Sequence, residues 1–236
     1  MNSLKTILIT GASKGIGLGI TKVLMEDTKQ KYRFILIARD SKDFDLVLKK
    51  LRSKYKNEII SFKCDLGNSS DLDNTMKKII ALNYSIDLLV NNAGYTNPKS
   101  FLDVEVDDFR HTFEVNVISP FKIIQKLFET GNHVKTIVNL ASTSGIGPRP
   151  GWLTYATSKA AMISMSDTLR EELHIFGTNV ICISPGRCAT ALRKTLAPEE
   201  DPTSIMQPED VAEVVKFLIS DTGKFITSQN LIIRQS

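Results

Sequence analysis

Thr10-Gly11-Ala12-Ser13-Lys14-Gly15-Ile16-Gly17 decides how this chain of 236 residues is read. An apolar run, Lys5–Thr10, leads into it, and Ile16, Ile20, Val23 and Leu24 recur at helical spacing within and after it. The stretch is therefore a strand–turn–helix junction. Its glycines let the backbone turn tightly and approach a pyrophosphate closely. The helix N-terminus adds unpaired N–H groups and the positive end of its dipole. A glycine-rich turn alone is a weak signal, and the strand before it and the helix after it give it weight.

Working outward, strands are predicted at Phe34–Ala38, Ile59–Cys64, Ile86–Val90, Thr136–Leu140 and Val180–Ser184, with a weaker one at Asn230–Ile233. Most are near-continuous runs of β-branched residues and Leu, as in strands covered on both faces. Helical patterns lie between them: around Leu46 and Leu51, and from Asp71 to Leu82, Asp107 to Phe128, Thr154 to Phe176 and Pro208 to Ser220. This alternation predicts an α/β fold, a Rossmann-type doubly wound parallel sheet of about seven strands with helices on both faces. At about 150 residues per domain the length fits one catalytic, nucleotide-binding domain over residues 1–236. Pro185 to Gln207 is the least regular region, and residues 187–207 are read as a substrate-binding loop or lid, with plain disorder as the alternative.

Hydrophobic residues make up 42% and charged residues 24%, enough apolar material for a core and not the balance of a disordered chain. Lys and Arg number 30 against 26 Asp and Glu, a net charge of +4. That permits an anionic ligand, but both signs are spread along the chain and no basic–aromatic interleaving points to nucleic acid. The basic stretch Lys49 to Lys56 reads as a solvated helix face. Cys64, Cys182 and Cys188 are too few and scattered for a disulfide framework or a zinc site, and His111, His133 and His174 lie far apart and read as structural, so no metal is expected. No apolar run nears the roughly 18 residues of a membrane helix, and no signal peptide is read before the first strand; a cytoplasmic protein is expected.

Further motifs follow. Asn91-Asn92-Ala93-Gly94 ends the fourth strand, and Ser142 stands thirteen residues before Tyr155-Ala156-Thr157-Ser158-Lys159. Asn116 interrupts an apolar helical stretch, and Pro185-Gly186 is followed by Thr190. With the T-G-x-x-x-G-x-G spacing of the first turn, the chain resembles the short-chain dehydrogenase/reductase family in its compact single-domain subtype, from Thr10 to about Phe217. Sugar-epimerase relatives have T-G-x-x-G-x-x-G, a glycine where this chain has Lys14. The resemblance implies a nicotinamide dinucleotide held by Gly11, Ser13, Lys14, Gly15, Ile16 and Gly17 in the turn. It puts Asp65 and Leu66 at the adenine, although Asp65 also reads as a helix-start acid. Asn92, Ala93 and Gly94 would pass the adenosine ribose, Lys159 beside Tyr155 would hold the nicotinamide ribose, and Pro185, Gly186 and Thr190 would meet the carboxamide or diphosphate.

The second strand ends in Ile37-Ala38-Arg39-Asp40. An NAD site wants an acid where Ala38 stands; Arg39 and Lys14 suit a 2′-phosphate instead, so NADP(H) is the expected cofactor. Asp40 complicates this and reads as a helix N-cap.

The chemistry that needs Tyr155 and Lys159 on one helix face is carbonyl reduction or its reverse. Negative charge grows on the carbonyl oxygen and a proton must arrive. A free phenol has a pKa of about 10, and an ammonium about 4 Å away at an effective dielectric near 20 has the strength to bring it toward neutrality. Tyr155 is read as the general acid or base, Ser142 as the donor to the oxyanion with Ser144 its rival, and Lys159 as the group acidifying the phenol. Asn116 completes the family's catalytic set by resemblance, a satisfied core amide being the plainer reading.

The expected substrate is a ketone or aldehyde, bound by Ser142, Tyr155 and Trp152, the last an apolar wall. Arg149, Arg187 and Arg193 either meet an anionic substrate or face solvent. A narrower reading is a 3-oxoacyl-[acyl-carrier-protein] reductase. A non-catalytic NADP(H)-binding sensor or scaffold is opposed by the intact catalytic set. A homodimer through Asp107–Phe128 and Thr154–Phe176, or a homotetramer, is expected, although the ending Thr227-Ser228-Gln229 departs from the family's Thr-Gly-Gln and tells against the tetramer.

Overall fold

Successive side chains of a strand point to opposite faces, so Ile7 and Ile9 leave one side of the first strand and Leu8 the other; all three are fully buried. Such a strand needs cover on both sides. The computed structural model, which describes residues 4–226 and 230–235, supplies it. Its elements run β1 (Lys5–Thr10), α1 (Gly15–Met25), β2 (Tyr32–Ala38), α2 (Lys42–Lys54), β3 (Glu58–Lys63), α3 (Ser69–Ala81), β4 (Leu88–Asn91), α4 (Val106–Phe113), α5 (Ser119–Glu129), β5 (Thr136–Leu140), α6 (Leu153–Leu173), β6 (Asn179–Pro185), α7 (Ala191–Leu196), α8 (Pro208–Leu218) and β7 (Asn230–Ile233). The seven strands are all parallel, in the order β3-β2-β1-β4-β5-β6-β7.

One face of the sheet packs Ile7, Phe34 and Ile183 against Leu24 of α1, Phe44 of α2 and Val215 of α8. The other packs Leu8, Ile35 and Ile137 against Met76 of α3 and Leu127 of α5. Burying one such side chain fully contributes about 1.5–3 kcal/mol. The helices begin where their caps dictate. Ser41 Oγ accepts from the Phe44 N–H at 3.2 Å, Asn68 Oδ1 from the Ser70 and Asp71 N–H groups, and Pro208 opens α8 behind a Gln207–Asp210 capping box.

Two expectations are corrected. β4 starts at Leu88, not Ile86, because the Ile86 N–H donates to Asn132 Oδ1 at 3.1 Å and is lost to the ladder. The predicted helix from Asp107 to Phe128 is helical throughout, but its regular spacing is broken by a π-helical turn at Glu114–Ile118 that parts α4 from α5. For residues 187–207 it is the alternative of disorder that is set aside: they hold α7, a 3-10 turn at Pro202–Ser204, and an Ala189 N–H that donates to the Met206 carbonyl at 2.8 Å. The weak terminal strand is present as β7, while Thr227-Ser228-Gln229 lie outside the described residues. Among the described residues no helix is long and apolar enough to cross a membrane.

Chain order along the sheet reverses between β1 and β4. The loops leaving the carboxyl ends of the strands part there, and the resulting crevice is where a ligand of a doubly wound sheet sits.

Candidate active site

A cavity of about 680 Å³ follows that crevice, from Arg39 and Asp65 at one end to Tyr155 and Trp152 at the other. The first end begins at the glycine turn. Gly11 and Gly15 have φ of +69° and +56°, the left-handed region that glycine adopts without strain. A Cβ on Gly17 would lie 2.5 Å from the Gly11 carbonyl oxygen, so only glycine lets α1 start this close to β1. Lys14 occupies the N-cap of α1 without capping it, and no acid stands in the first turn. The N-terminal N–H groups of α1 thus open toward the cavity.

The motif after β4 ties this turn to the sheet. Asn92 Nδ2 donates to the Thr10 carbonyl at 2.9 Å, and the Asn92 and Ala93 N–H groups donate to Thr10 Oγ1 at 3.0 and 3.1 Å. Asn91 Nδ2 donates to Asn139 Oδ1 at 2.8 Å, and Asn139 Nδ2 to Ser166 Oγ at 2.9 Å, a buried brace across β4, β5 and α6. Gly94 lies on the cavity wall.

Beyond β2, Arg39 is exposed on the cavity, and among the described residues neither it nor Lys14 has an ion-pair partner. Asp40 is not the helix N-cap; Ser41 is, and Asp40 is paired instead with Lys63 at 2.8 Å. The complicating carboxylate is therefore partly neutralised. Asp65 is not a helix cap either, since Asn68 caps α3; its Oδ1 accepts from the Gly67 N–H at 3.0 Å and the residue stays exposed at the cavity beside buried Leu66. The sequence reading missed Tyr95 and His111. Both line this end, ring against ring at 4.6 Å, and His111 is no mere surface histidine. Their only sequence signals are that Tyr95 follows Gly94 directly and that His111 lies just upstream of Asn116.

At the other end Ser142, Tyr155 and Lys159 come together, with Tyr155 and Lys159 buried on one face of α6. The Ser142 side chain acts on the phenol, pulling its pKa down, and Ser142 Oγ accepts from the Ser144 N–H at 3.1 Å. Ser144 is the more buried serine, and it is Ser142 that acts on the phenol. Lys159 Nζ donates to the Leu140 carbonyl at 2.7 Å and lies 5.7 Å from the centre of the Tyr155 ring. Asn116 is in the π-helical turn. Its Oδ1 accepts from the Tyr95 N–H at 2.8 Å, and its Nδ2 donates to the Tyr95 carbonyl and to Ser158 Oγ, at 3.0 and 2.9 Å.

The expected acidification of Tyr155 by Lys159 is corrected. Burial pushes the phenol up to about 12, against the pull of the Ser142 hydrogen bond and then the Arg193 charge. Burial also lowers Lys159 to about 8. Both groups have lost water, which disfavours the charged form of each.

Pro185 and Gly186 line the cavity where β6 ends, and the Gly186 N–H donates to the Ile233 carbonyl at 2.7 Å. Thr190 caps α7, its Oγ1 accepting from the Arg193 N–H at 3.1 Å. Trp152 is half-buried under the Arg193 guanidinium, 5.4 Å from its ring. Burial raises all three cysteine thiols, Cys188 to about 12, which makes none a nucleophile. Among the described residues no group of three His, Cys, Asp or Glu gathers as metal ligands.

The donor set fits a dinucleotide: an uncapped helix N-terminus, two cations near it, and an elongated cavity leading to a buried phenol and amine.

Residues 5–201 match the family model described as short chain dehydrogenase. The chain is 32% identical over 244 aligned residues to the 3-oxoacyl-[acyl-carrier-protein] reductase FabG of Rickettsia typhi, covering 96% of this chain and 94% of that one. It is 30% identical to the 3-oxoacyl-[acyl-carrier-protein] reductase of Synechocystis sp., covering 94% and 92%. Among solved structures it is similar to 4-hydroxyisoleucine dehydrogenase complexed with NADH, with a TM-score of 0.83 and 27% identity over 97% of this chain and 96% of that one. A short chain dehydrogenase from Burkholderia cenocepacia in complex with NADP gives a TM-score of 0.83 and 26% identity, again over 97% and 96%.

Proposed function

The chain belongs to the short chain dehydrogenase family and is an oxidoreductase, and from that premise we propose that it reduces a ketone or aldehyde to an alcohol with NADPH. The supporting observation is the convergence of Ser142, Tyr155 and Lys159 at the inner end of a cavity whose outer end carries Arg39, Lys14 and an uncapped helix start. The same intact set speaks against a non-catalytic NADP(H) sensor. Solved relatives are complexed with NADH in one case and NADP in another, so the choice rests on this chain's own residues. Two cations and a carboxylate occupied by Lys63 favour the 2′-phosphate.

When bound, the nicotinamide supplies or takes up a hydride. Everything else falls to the protein. Tyr155 keeps its proton at neutral pH, because burial holds its pKa high, and gives it to the carbonyl oxygen as charge develops there. Ser142 donates to the same oxygen. Lys159, charged below about pH 8, favours the phenolate left behind. Asn116, through Ser158, fixes the helix turn between Tyr155 and Lys159.

A narrower reading is a 3-oxoacyl thioester reductase, favoured by the identity to the reductases of Rickettsia and Synechocystis. We include a homo-oligomer in the proposal, supported by Ile118 and Phe121 standing 41% and 43% exposed beside and on α5. The test is oxidation of NADPH and of NADH by purified protein with a panel of ketones, aldehydes and acetoacetyl-coenzyme A. Turnover preferring NADPH is expected; no oxidation with any carbonyl overturns the function, and a preference for NADH overturns the cofactor assignment.

A further inference from the structure

The charges lining the cavity are unevenly divided. Its carboxylates, Asp40, Asp43 and Asp65, all follow β2 or β3 at the adenosine end. The reacting end is lined by Lys159, Arg149, Arg187 and Arg193 and by no carboxylate. Lys159 is committed to the Leu140 carbonyl, and Arg187 reaches Glu200 at 3.4 Å with its side chain 60% exposed.

Arg193 is different. Its side chain is only 20% exposed and its guanidinium lies over the Trp152 ring. Glu200 grips one edge of the fork, accepting from Nε at 2.6 Å and from Nη2 at 2.8 Å. Among the described residues Nη1 has no hydrogen-bond partner. A guanidinium carries five N–H donors in a rigid plane, so the Glu200 grip leaves donors over while fixing the direction they point. The charge lies near enough to the phenol to oppose its raised pKa. An aromatic floor and an immobilised fork, with a second cation, Arg149, also lining the cavity, are the parts of a carboxylate receptor.

We infer that the substrate is an oxo acid, its carboxylate received by the free edge of Arg193 over Trp152 while its carbonyl oxygen meets Tyr155 and Ser142. This rests on the reductase reading above and names the class of carbonyl that the site selects. The carboxylate takes no part in the bond changes, which remain those of carbonyl reduction.

The test pairs short oxo acids with their methyl esters and measures kcat/KM with NADPH. The acid is expected to be preferred by roughly tenfold to a hundredfold, the worth of a charge-assisted hydrogen bond. Arg193→Gln should bring that ratio close to one, and Arg193→Lys should keep part of it. An ester reduced as well as its acid by the unaltered enzyme overturns the inference and leaves the reductase reading standing. So does an acid preference that survives Arg193→Gln. If no carbonyl is reduced at all, the reductase reading fails, and binding then decides the inference alone. Trp152 is the one tryptophan of the chain, so its fluorescence reports this wall directly. With NADP⁺ present, saturable quenching by the oxo acid and not by its ester supports the inference, and equal or absent quenching overturns it.

Discussion

The Lys159 ammonium is bound to the Leu140 carbonyl oxygen, 2.7 Å away at the end of β5, and not to the phenol that shares its helix face. A strand terminus thus fixes the position of a cation in the site. Burial acts on both groups, lowering Lys159 to about 8 and raising Tyr155 to about 12. The pair is therefore poised with a protonated phenol beside an amine that titrates just above neutrality.

Reduction is expected to hold a plateau through neutral pH and to fall as pH passes about 8, because the donor keeps its proton while Lys159 loses its charge. Stability follows the same group. Its folded pKa lies below the ordinary 10.5, so between about 8 and 10.5 the unfolded chain binds more protons and this residue's contribution to stability rises with pH. Lys54 and Lys63 are shifted in the opposite sense, so the measurement is the difference in melting temperature between the protein and Lys159→Met. The variant should be inactive, and its advantage should be largest below about pH 8 and shrink above it. A difference that does not vary with pH contradicts this.

Tyr155→Phe removes the proton donor and nothing that faces the adenosine end. Turnover should drop by about 10²–10⁴-fold, while the affinity for NADPH, read by fluorescence titration, stays within about threefold. Ser142→Ala removes an oxyanion donor and should cost about 10²–10³-fold in kcat. Retained turnover in Tyr155→Phe would move the acid to another group.

Asn116, buried in the π-helical turn, spends both ends of its amide on Tyr95 and also reaches Ser158. Asn116→Leu leaves the Tyr95 N–H without its acceptor and removes a donor from Ser158. Urea unfolding should show a loss of about 1–3 kcal/mol, with kcat falling as the Tyr155–Lys159 turn loosens. Unchanged stability with lost activity would point to a catalytic contact instead of a positioning one.

Sequence patterns report what depends on local burial. Ile7, Leu8 and Ile9 mark a doubly covered strand without knowledge of its neighbours, and the glycines of the first turn declare their close approach by residue type. The other motif residues were read through their resemblance to a family pattern, and those of them that line the cavity include Ser142, Tyr155 and Lys159. Other features depend on which distant groups meet. The π-helical turn at Glu114–Ile118 arises where Asn116 bonds Tyr95 and Ser158, partners 21 and 42 residues away. Asp40 looked like a cap because Ser41 and Asp40 are both good capping residues; only the fold brings Lys63 to it. The Arg193–Glu200 grip needs the path of residues 187–207, which no periodicity gives.

Asp40 and Lys63 also provide the sharpest test of cofactor choice. The ion pair is 2.8 Å long, and Lys63 holds Asp45 as well, at 3.0 Å. Asp40 directly follows Arg39, the residue assigned to the 2′-phosphate. Lys63→Met frees both carboxylates without touching the cavity's cations. The released charge should repel a 2′-phosphate, raising KM for NADPH by about three- to tenfold and leaving KM for NADH nearly unchanged. Salt should mute the effect, since the Debye length is about 10 Å at 0.1 M. The pair is exposed and adds little to folding, so the melting temperature should scarcely move, which separates electrostatics from damage to the sheet. Arg39→Ala should act in the same direction more strongly. Equal changes for both nucleotides in Lys63→Met would mean that Asp40 does not face the 2′ position and that the preference is set elsewhere.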